Sequence, residues 1–377
     1  MRITIVQGAF LPVPPIMGGA VEKVWHGLGQ EFARRGHEVL HVSRRHPHLP
    51  NTETAGGVRH LRVPGFAQPR SLALLKLKDL LYTLAVRRRL PPADIVVGNT
   101  FWLPLLVRAP RHGRMVVHVA RFPRGQMRHY RHVACLQTVS SAVARAIAEE
   151  LGGGRAPRLC VIPYPVAHRA ANLPAPTERT PTVLYTGRVH PEKGLDLLLS
   201  AWRRATPHLP GWKLRIVGPW RAEEGGAGAA YLELLKHEAR GLPVDFVGPL
   251  FGAEALNHEY RSASIFVYPS LAARGETFGL APLEAMAFGL PPIVSGLECF
   301  RDFVHPEQNG LVFDHDDGNA GGELAERIVR LADDHELRAT LGAAAWADSA
   351  SYTEAAVAEA YLAEFAALLR DPAPSRR

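Results

Sequence analysis

Cysteine is scarce in this 377-residue chain. The three present, Cys135, Cys160 and Cys299, are too few and too scattered in sequence for a disulfide framework or a zinc site, and all three are expected to be reduced. Long apolar runs are missing as well. No stretch approaches the ~20 consecutive apolar residues of a membrane span. The opening MRITIVQGAF has no apolar core followed by a small-residue cleavage site; it reads as a first β-strand, which predicts a cytoplasmic protein, free or associated with the inner face of the membrane. The G-x-G-x-x-G fingerprint is absent, which disfavours a nicotinamide dehydrogenase. No internal repeat stands out beyond a doubling of the domain.

What is present is a globular composition, 47% hydrophobic and 21% charged, with a formal net charge of +8. The charge is unevenly placed. Residues 1–165 hold 24 Lys and Arg against 8 Asp and Glu, a net of +16, and the remainder holds 20 against 28, a net of −8. A basic first half and an acidic second half suggest two lobes with different partners, and an anionic acceptor or membrane surface would suit the basic one. Nucleic acid is not expected.

Short β-branched runs alternate with helical patterns, as in stacked βα units on a parallel sheet. The first series is RITIVQG (2–8), HEVLHVS (37–43), DIVVGN (94–99), RMVVHVA (114–120) and RLCVIPY (158–164). Residues 166–181, rich in Pro, Ala and Thr without a period, read as a linker. A second series follows at 181–188, 212–220, 243–250, 263–270, 291–296 and 309–314. The chain is therefore predicted to be α/β, two Rossmann-like parallel-sheet domains spanning 1–165 and 182–352, with a last helix at 353–369 and a frayed tail. Ligands of such sheets bind beyond the carboxyl ends of the strands, and the natural site of a two-domain chain is the cleft between them.

One such end carries RGETFGLAPLEAMAFGLPPIVS (274–295). Pro282 suits the first helical position and Gly289 the position past the last. Amides near Phe278, Gly279 and Leu280 then meet the positive end of the helix dipole and suit a diphosphate. The carboxylates would repel that group, so they are assigned to hydroxyls: Glu284, in the first turn, to a ribose diol, and Glu276 to a sugar beyond the phosphates. A second stretch, YTGRVHPEKG (185–194), sets Gly187 and Arg188 at a strand end and Lys193 five residues on. Arg as a fixed fork and Lys as a point charge can bracket a diphosphate without a metal. A third, FLPVPPIMGGAVEKVW (10–25), places Gly18 and Gly19 between a strand and a helix, where an anion can approach closely.

These three stretches and the strand order resemble glycosyltransferase family 4, retaining enzymes of the GT-B fold. The resemblance implies a second domain that holds a nucleotide-diphospho sugar, UDP- or GDP-linked, and a first domain that holds the acceptor. It implies that Glu276 contacts the donor sugar, Glu284 the ribose, and that Arg188 and Lys193 hold the diphosphate and stabilise the leaving group. Gly19 would approach the donor. The base would lie near 246–251, against Val247 to Leu250, and the final helix would return to the first domain. No metal and no cofactor are implied. His118, at the end of its strand, would lie near the reacting centre; the Val119, Ala120 and Arg121 that follow it depart from the family's more polar pattern.

Arg121, Arg124, Arg128 and Arg131 would form one basic stripe if helical. They fit an anionic acceptor, and Arg121 and Arg124 are the candidate contacts. SLALLKLKDLLYTLAVRRRL (71–90) reads either as a membrane-surface helix reaching a lipid-linked acceptor or as a helix packed on the sheet, and its apolar content favours packing. The expected activity is transfer of a sugar to a carbohydrate, lipid-linked or small-molecule acceptor, in glycan or cell-envelope biosynthesis. Two alternatives stay open: a nucleotide-sugar 2-epimerase of the same fold, and a catalytically silent nucleotide-sugar-binding protein.

Overall fold

The chain forms two compact units. The first comprises Met1–Ala167 and the chain from Glu354 on; the second is His168–Thr353. The structure is a computed structural model that describes residues 1–69, 71–108, 111–154, 156–174, 179–250 and 252–370. Part of the expected linker (175–178), Phe251 of the expected base site and the C-terminal tail lie outside the described residues.

The first unit runs β1 (Arg2–Val6), α1 (Ala20–Arg34), β2 (Glu38–Arg44), β3 (Thr52–Ala55), β4 (Val58–Val63), α2 (Leu72–Arg87), β5 (Ile95–Gly98), α3 (Leu103–Leu106), β6 (Arg114–Val119), β7 (Cys135–Thr138), α4 (Ser141–Leu151) and β8 (Arg158–Val161). Its sheet has the order β3-β4-β2-β1-β5-β6-β7-β8 and is parallel except for the β3–β4 pair. Two sequence features hid β4 and β7. In β4 the inward positions are His60 and Arg62, so its alternation reads as polar. In β7 all four residues are buried, Gln137 and Thr138 among them.

Helix α1 forms because Val24, Trp25, Leu28 and Phe32 recur on one buried face, each such burial contributing about 1.5–3 kcal/mol. That face meets α11 (Glu354–Arg370). Trp25 and Tyr361 have ring centroids 5.0 Å apart, and Phe32 and Phe365 5.9 Å. Strands β7 and β8 bring Cys135 Sγ to 3.2 Å from Cys160 Sγ. The two thiols are thus neighbours in the fold although distant in sequence, and all three cysteines are free.

The second unit runs β9 (Thr182–Thr186), α5 (Leu195–Ala205), β10 (Lys213–Val217), α6 (Ala229–Glu238), β11 (Val244–Gly248), α7 (Ala253–Ser262), β12 (Ile265–Tyr268), α8 (Leu280–Ala287), β13 (Pro292–Ser295), β14 (Leu311–Phe313), α9 (Ala320–Asp333) and α10 (His335–Asp348). All six strands are parallel in the order β11-β10-β9-β12-β13-β14. The described ends of the segment read as a linker are docked on this unit. Arg169 lies 3.9 Å over the Trp346 ring and donates to Ser349 Oγ (3.0 Å) and the Trp346 carbonyl (2.9 Å). Arg179 donates to the carbonyls of Ala263 and Phe288, both at 2.7 Å. Among the described residues, no helix is long and apolar enough to cross a membrane.

Under α1 the first unit buries an unusual polar cluster. His41 and His60, paired across β2 and β4, stack at 5.7 Å, and His26 lies 5.9 Å from His60. None of the ring nitrogens of His41 or His60 has a hydrogen-bond partner. Arg62 beside them is buried and donates to the carbonyls of Val13 (3.0 Å) and Pro50 (2.6 Å), and pairs with Glu53. Burial and then the Arg62 charge push His60 down to about 4; burial likewise holds His41 and His26 below their ordinary range. Unfolding releases these imidazoles to take protons near ~6.5. Their contribution to stability is therefore full above that value and is lost as pH falls towards about 4. Denaturant titrations across this range should show the decline, and His60→Leu should make it shallower. An unchanged slope in that variant contradicts the assignment.

Candidate active site

In the second unit the strand order reverses between β9 and β12: β10 and β11 lie on one side and β13 and β14 on the other. The carboxyl ends of β9 and β12 therefore flank a topological switch point, where open α/β sheets bind ligands. The loop after β9 carries Gly187, Arg188 and Lys193; the loop after β12 carries Glu276, Phe278 and Gly279. The two loops are fastened together. Leu271 N–H donates to the Glu192 carbonyl at 2.9 Å. Gly194, at φ 70°, sits so close that an added Cβ would lie 2.1 Å from the Pro269 carbonyl oxygen.

The fastening brings the charged side chains to one rim. Lys193 Nζ lies 2.6 Å from Glu276 Oε2, with the two side chains only 7% and 11% exposed. The Tyr268 hydroxyl donates to the same oxygen at 3.1 Å, and Lys193 Nζ sits 5.4 Å from the Tyr268 ring centroid. Tyr268 stacks on Tyr185 at 5.7 Å, and the Tyr185 hydroxyl donates to the Arg188 carbonyl at 2.9 Å. Burial, and secondarily the Glu276 charge, holds both phenols well above their ordinary range, so they stay neutral donors. The Arg188 guanidinium is itself engaged, with Glu192 Oε1 at 2.5 Å and the Gly225 carbonyl at 2.7 Å.

Helix α8 begins at Leu280 behind Gly279, which is left-handed at φ 90°. A Cβ at Gly279 would lie 2.4 Å from the Phe300 ring. This start corrects the sequence reading: Pro282 is the third helical residue, not the first, and Glu284 falls beyond the first turn. The left-handed glycine begins the turn two residues before the proline. Gly289, at φ 71°, does follow the last turn. Glu284 accepts from the Tyr260 hydroxyl at 2.9 Å, and that hydroxyl lies 2.7 Å from Thr186 Oγ1. Tyr260 belongs to α7, whose first turns, with Leu250 and Gly252, line an open concavity of about 730 Å³ beside Glu254 and His258. Val247 and Leu250 lie at the end of β11 and just beyond it.

The first unit gathers a second set. Gly19 precedes α1, and the carboxylate of buried Glu22 folds over it; a Cβ there would lie 2.2 Å from Glu22 Oε2. A carboxylate from the helix's own first turn thus sits at the place where an external anion was expected. Burial raises the Glu22 pKa, and the nearby Arg121 opposes that rise. His118 is buried at the end of β6. Its Nδ1 lies 2.6 Å from Gln137 Oε1 and its Nε2 3.2 Å from the Tyr164 hydroxyl, and Trp25 packs edge-on at 5.4 Å. Burial lowers His118 to about 4, so it is a neutral ring near pH 7. Glu22, Gln137 and Tyr164 were missed. The first-turn acid of GGAVEKV was the one available signal; Gln137 and Tyr164 sit in a strand and a strand end whose partners only the fold reveals.

The basic stripe does not form. Residues 121–131 contain a single short turn, Met127–Tyr130. Their loop is anchored by Glu150, which accepts from the amides of Gly125 (2.7 Å) and Met127 (2.5 Å), and Arg131 donates to the Leu151 carbonyl at the end of α4. Arg121 and Arg124 are exposed. Among the described residues, two groups have metal-ligating atoms close together, Cys135–Cys160–Glu364 and Asp314–His315–Asp316; neither includes a residue of the rim, and Arg158 already pairs with Glu364.

Comparison with known proteins agrees with this architecture. Residues 171–347 match the model for glycosyl transferases group 1, and 19–165 match the glycosyl transferase 4-like domain. A D-inositol 3-phosphate glycosyltransferase of Streptomyces scabiei is 34% identical over 48% of this chain and 41% of its own length. The sulfoquinovosyl transferase SQD2 of Arabidopsis thaliana is 31% identical over 46% of this chain and 30% of its own. The chain thus spans less than half the length of these curated relatives. Among solved structures, the sucrose-phosphate synthase of Thermosynechococcus elongatus superposes with TM-score 0.75 at 22% identity, covering 97% of this chain and 100% of that one. Anabaena HepE in complex with UDP and glucose superposes with TM-score 0.70 at 18% identity, over 97% and 100%. With both units matched and the two parallel sheets in place, the chain belongs to glycosyltransferase family 4 and has the GT-B fold.

Proposed function

We propose that this transferase moves a sugar from a nucleotide-diphospho sugar to an acceptor held by the first unit, with retention at the anomeric carbon and without a metal ion. The observation that carries this reading is the convergence of Arg188, Lys193, Glu276 and the Gly279 helix start over the β9/β12 switch point. In the bond-forming step the acceptor oxygen bonds to the anomeric carbon as the bond to the diphosphate breaks. The acceptor's proton passes to the departing phosphate oxygen. The chief demand is stabilisation of charge on that leaving group, which Arg188, Lys193 and the amides of Phe278, Gly279 and Leu280 supply. Glu276 Oε2 is held by Lys193 and Tyr268, so the carboxylate is fixed in place to accept from sugar hydroxyls. Glu284, steadied by Tyr260, accepts from the ribose diol. The base enters the concavity by Val247 and Leu250.

In the first unit, Arg121 and Arg124 meet an anionic acceptor, and Gly18 and Gly19 allow close approach of the donor. His118 is a neutral ring there, so it orients the sugar and transfers no proton; its Nε2 reaches a ligand only when Tyr164 moves away. HepE was solved with UDP-glucose, which puts UDP-sugars first in a donor panel.

Thermal-shift measurements against UDP-, GDP-, ADP- and TDP-sugars should single out one donor by its stabilisation, and slow hydrolysis should release free nucleoside diphosphate. An isomeric nucleotide sugar would instead identify an epimerase. Arg188→Ala or Lys193→Ala should lower turnover by ~10²-fold or more, the scale of losing one preorganised donor; near wild-type turnover in a folded variant removes the assignment. Lys193→Met also strands Glu276, and should lower stability by about 3 kcal/mol. Adding Glu276→Gln should restore most of that loss in denaturant titrations, whereas additive losses would show that the two side chains are not coupled.

A further inference from the structure

Helix α2 presents an apolar face to solvent. Its inward side is narrow: Asp79, Tyr82, Thr83 and Val86 are buried. Much of its attachment is polar. Asp79 accepts from the amides of Phe101 (3.1 Å) and Trp102 (3.2 Å), and the Trp102 indole donates to the Lys76 carbonyl at 2.8 Å. On the opposite side Leu74, Leu77 and Leu81, spaced by three and four residues, share one face. They are 43%, 51% and 49% exposed, and Leu72 at the helix start is 71% exposed. These leucines account for a large share of the exposed large apolar side chains among the described residues. The leucine-rich stretch does pack on the first unit, with Tyr82, Val86 and Leu90 in its core, but only along its one narrow inward face. Its apolar content exceeds what the narrow inward face can use, and the surplus faces water.

The charges around that face have one sign. Lys78 borders it, Lys76 lies nearer the inward side, and Arg87, Arg88 and Arg89 follow it, all three exposed. Lys76 Nζ sits 4.5 Å over the Phe101 ring, and Lys78 Nζ donates to the Ala67 carbonyl at 3.1 Å, so both are anchored to neighbouring loops of the first unit. The helix's one acid, Asp79, is buried on the other side. Residues 1–165 carry a net of +16. A solvent-facing leucine stripe bordered by cations, along a helix ~24 Å long, has the chemistry of a helix lying in a bilayer interface. A second copy of the chain fits poorly, because apposing two such faces brings like charges together.

We propose that α2 docks this protein on an anionic phospholipid surface, with Leu74, Leu77 and Leu81 entering the headgroup boundary and the neighbouring Lys and Arg meeting lipid phosphates. This holds whatever the donor is, and it is tested without any measurement of transfer. The full chain should co-sediment with vesicles of phosphatidylcholine containing phosphatidylglycerol, bind pure phosphatidylcholine far less, and be released as salt is raised. Leu77→Gln with Leu81→Gln should weaken partition by about tenfold per leucine. Leu74→Ser, at another exposed position of the same face, gives an independent variant whose fold is safe. Replacing Arg87, Arg88 and Arg89 with Gln should remove the preference for the anionic vesicles and leave the residual binding to neutral ones. The proposal is overturned if the wild type fails to sediment, if the leucine variants bind as well as the wild type, or if light scattering shows a dimer that the leucine substitutions dissolve.

Discussion

Lys193 and Glu276 are 83 residues apart in sequence and 2.6 Å apart in the second unit. An ammonium and a carboxylate so nearly closed off from water lose hydration that the pair must replace. The Tyr268 hydroxyl and ring, backed by Tyr185, supply part of it. The rest of the rim follows from this contact. The Tyr185 hydroxyl fixes the Arg188 backbone, and Gly194 lets the β9 loop lie against the β12 loop closely enough for the pair to form. The charges are thus in position before any ligand arrives, which is what stabilisation of a leaving group requires.

The same arrangement means that neither cation stands alone. Arg188 leans on Glu192 and Lys193 on Glu276. On the proposed reading, a diphosphate would compete with carboxylates for both, while Glu276 keeps its Tyr268 donor and stays positioned for hydroxyls. Binding energy and selectivity are linked here: a ligand offering phosphates without hydroxyls would leave the acids without replacement partners, a cost that buried acceptors make large. The first unit works differently. Its His118, Gln137 and Tyr164 form a buried, hydrogen-bonded group, with the Glu22 carboxylate over Gly19.

Much of this protein was legible in its residues. The six strands of the second unit and the glycine–cation loops are local patterns, set by β-branched runs and by turns that only a few residue types allow. The family followed from those loops. Strands β4 and β7 were not legible, because Gln137 and Arg62 are inward-facing polar residues whose partners come from elsewhere in the chain and His60 is another inward-facing polar residue; β3 is a short, mostly exposed edge strand. The arginine series at 121–131 carried helical spacing and no helix, since Glu150 binds the loop amides that a helix would have used.

The sequence by itself determined the element types, the doubling of the sheet, and which loops carry cations, acids and glycines, because each depends on a few neighbouring residues. Tertiary structure alone decided which of those groups meet. It paired Lys193 with Glu276, closed the Gly19 end of α1 with Glu22, tied His118 to Gln137 and Tyr164, and turned the leucines of α2 outward. Each of these depends on contacts between residues distant in the chain, and on how much apolar surface the neighbouring elements could cover, and neither is encoded in local spacing.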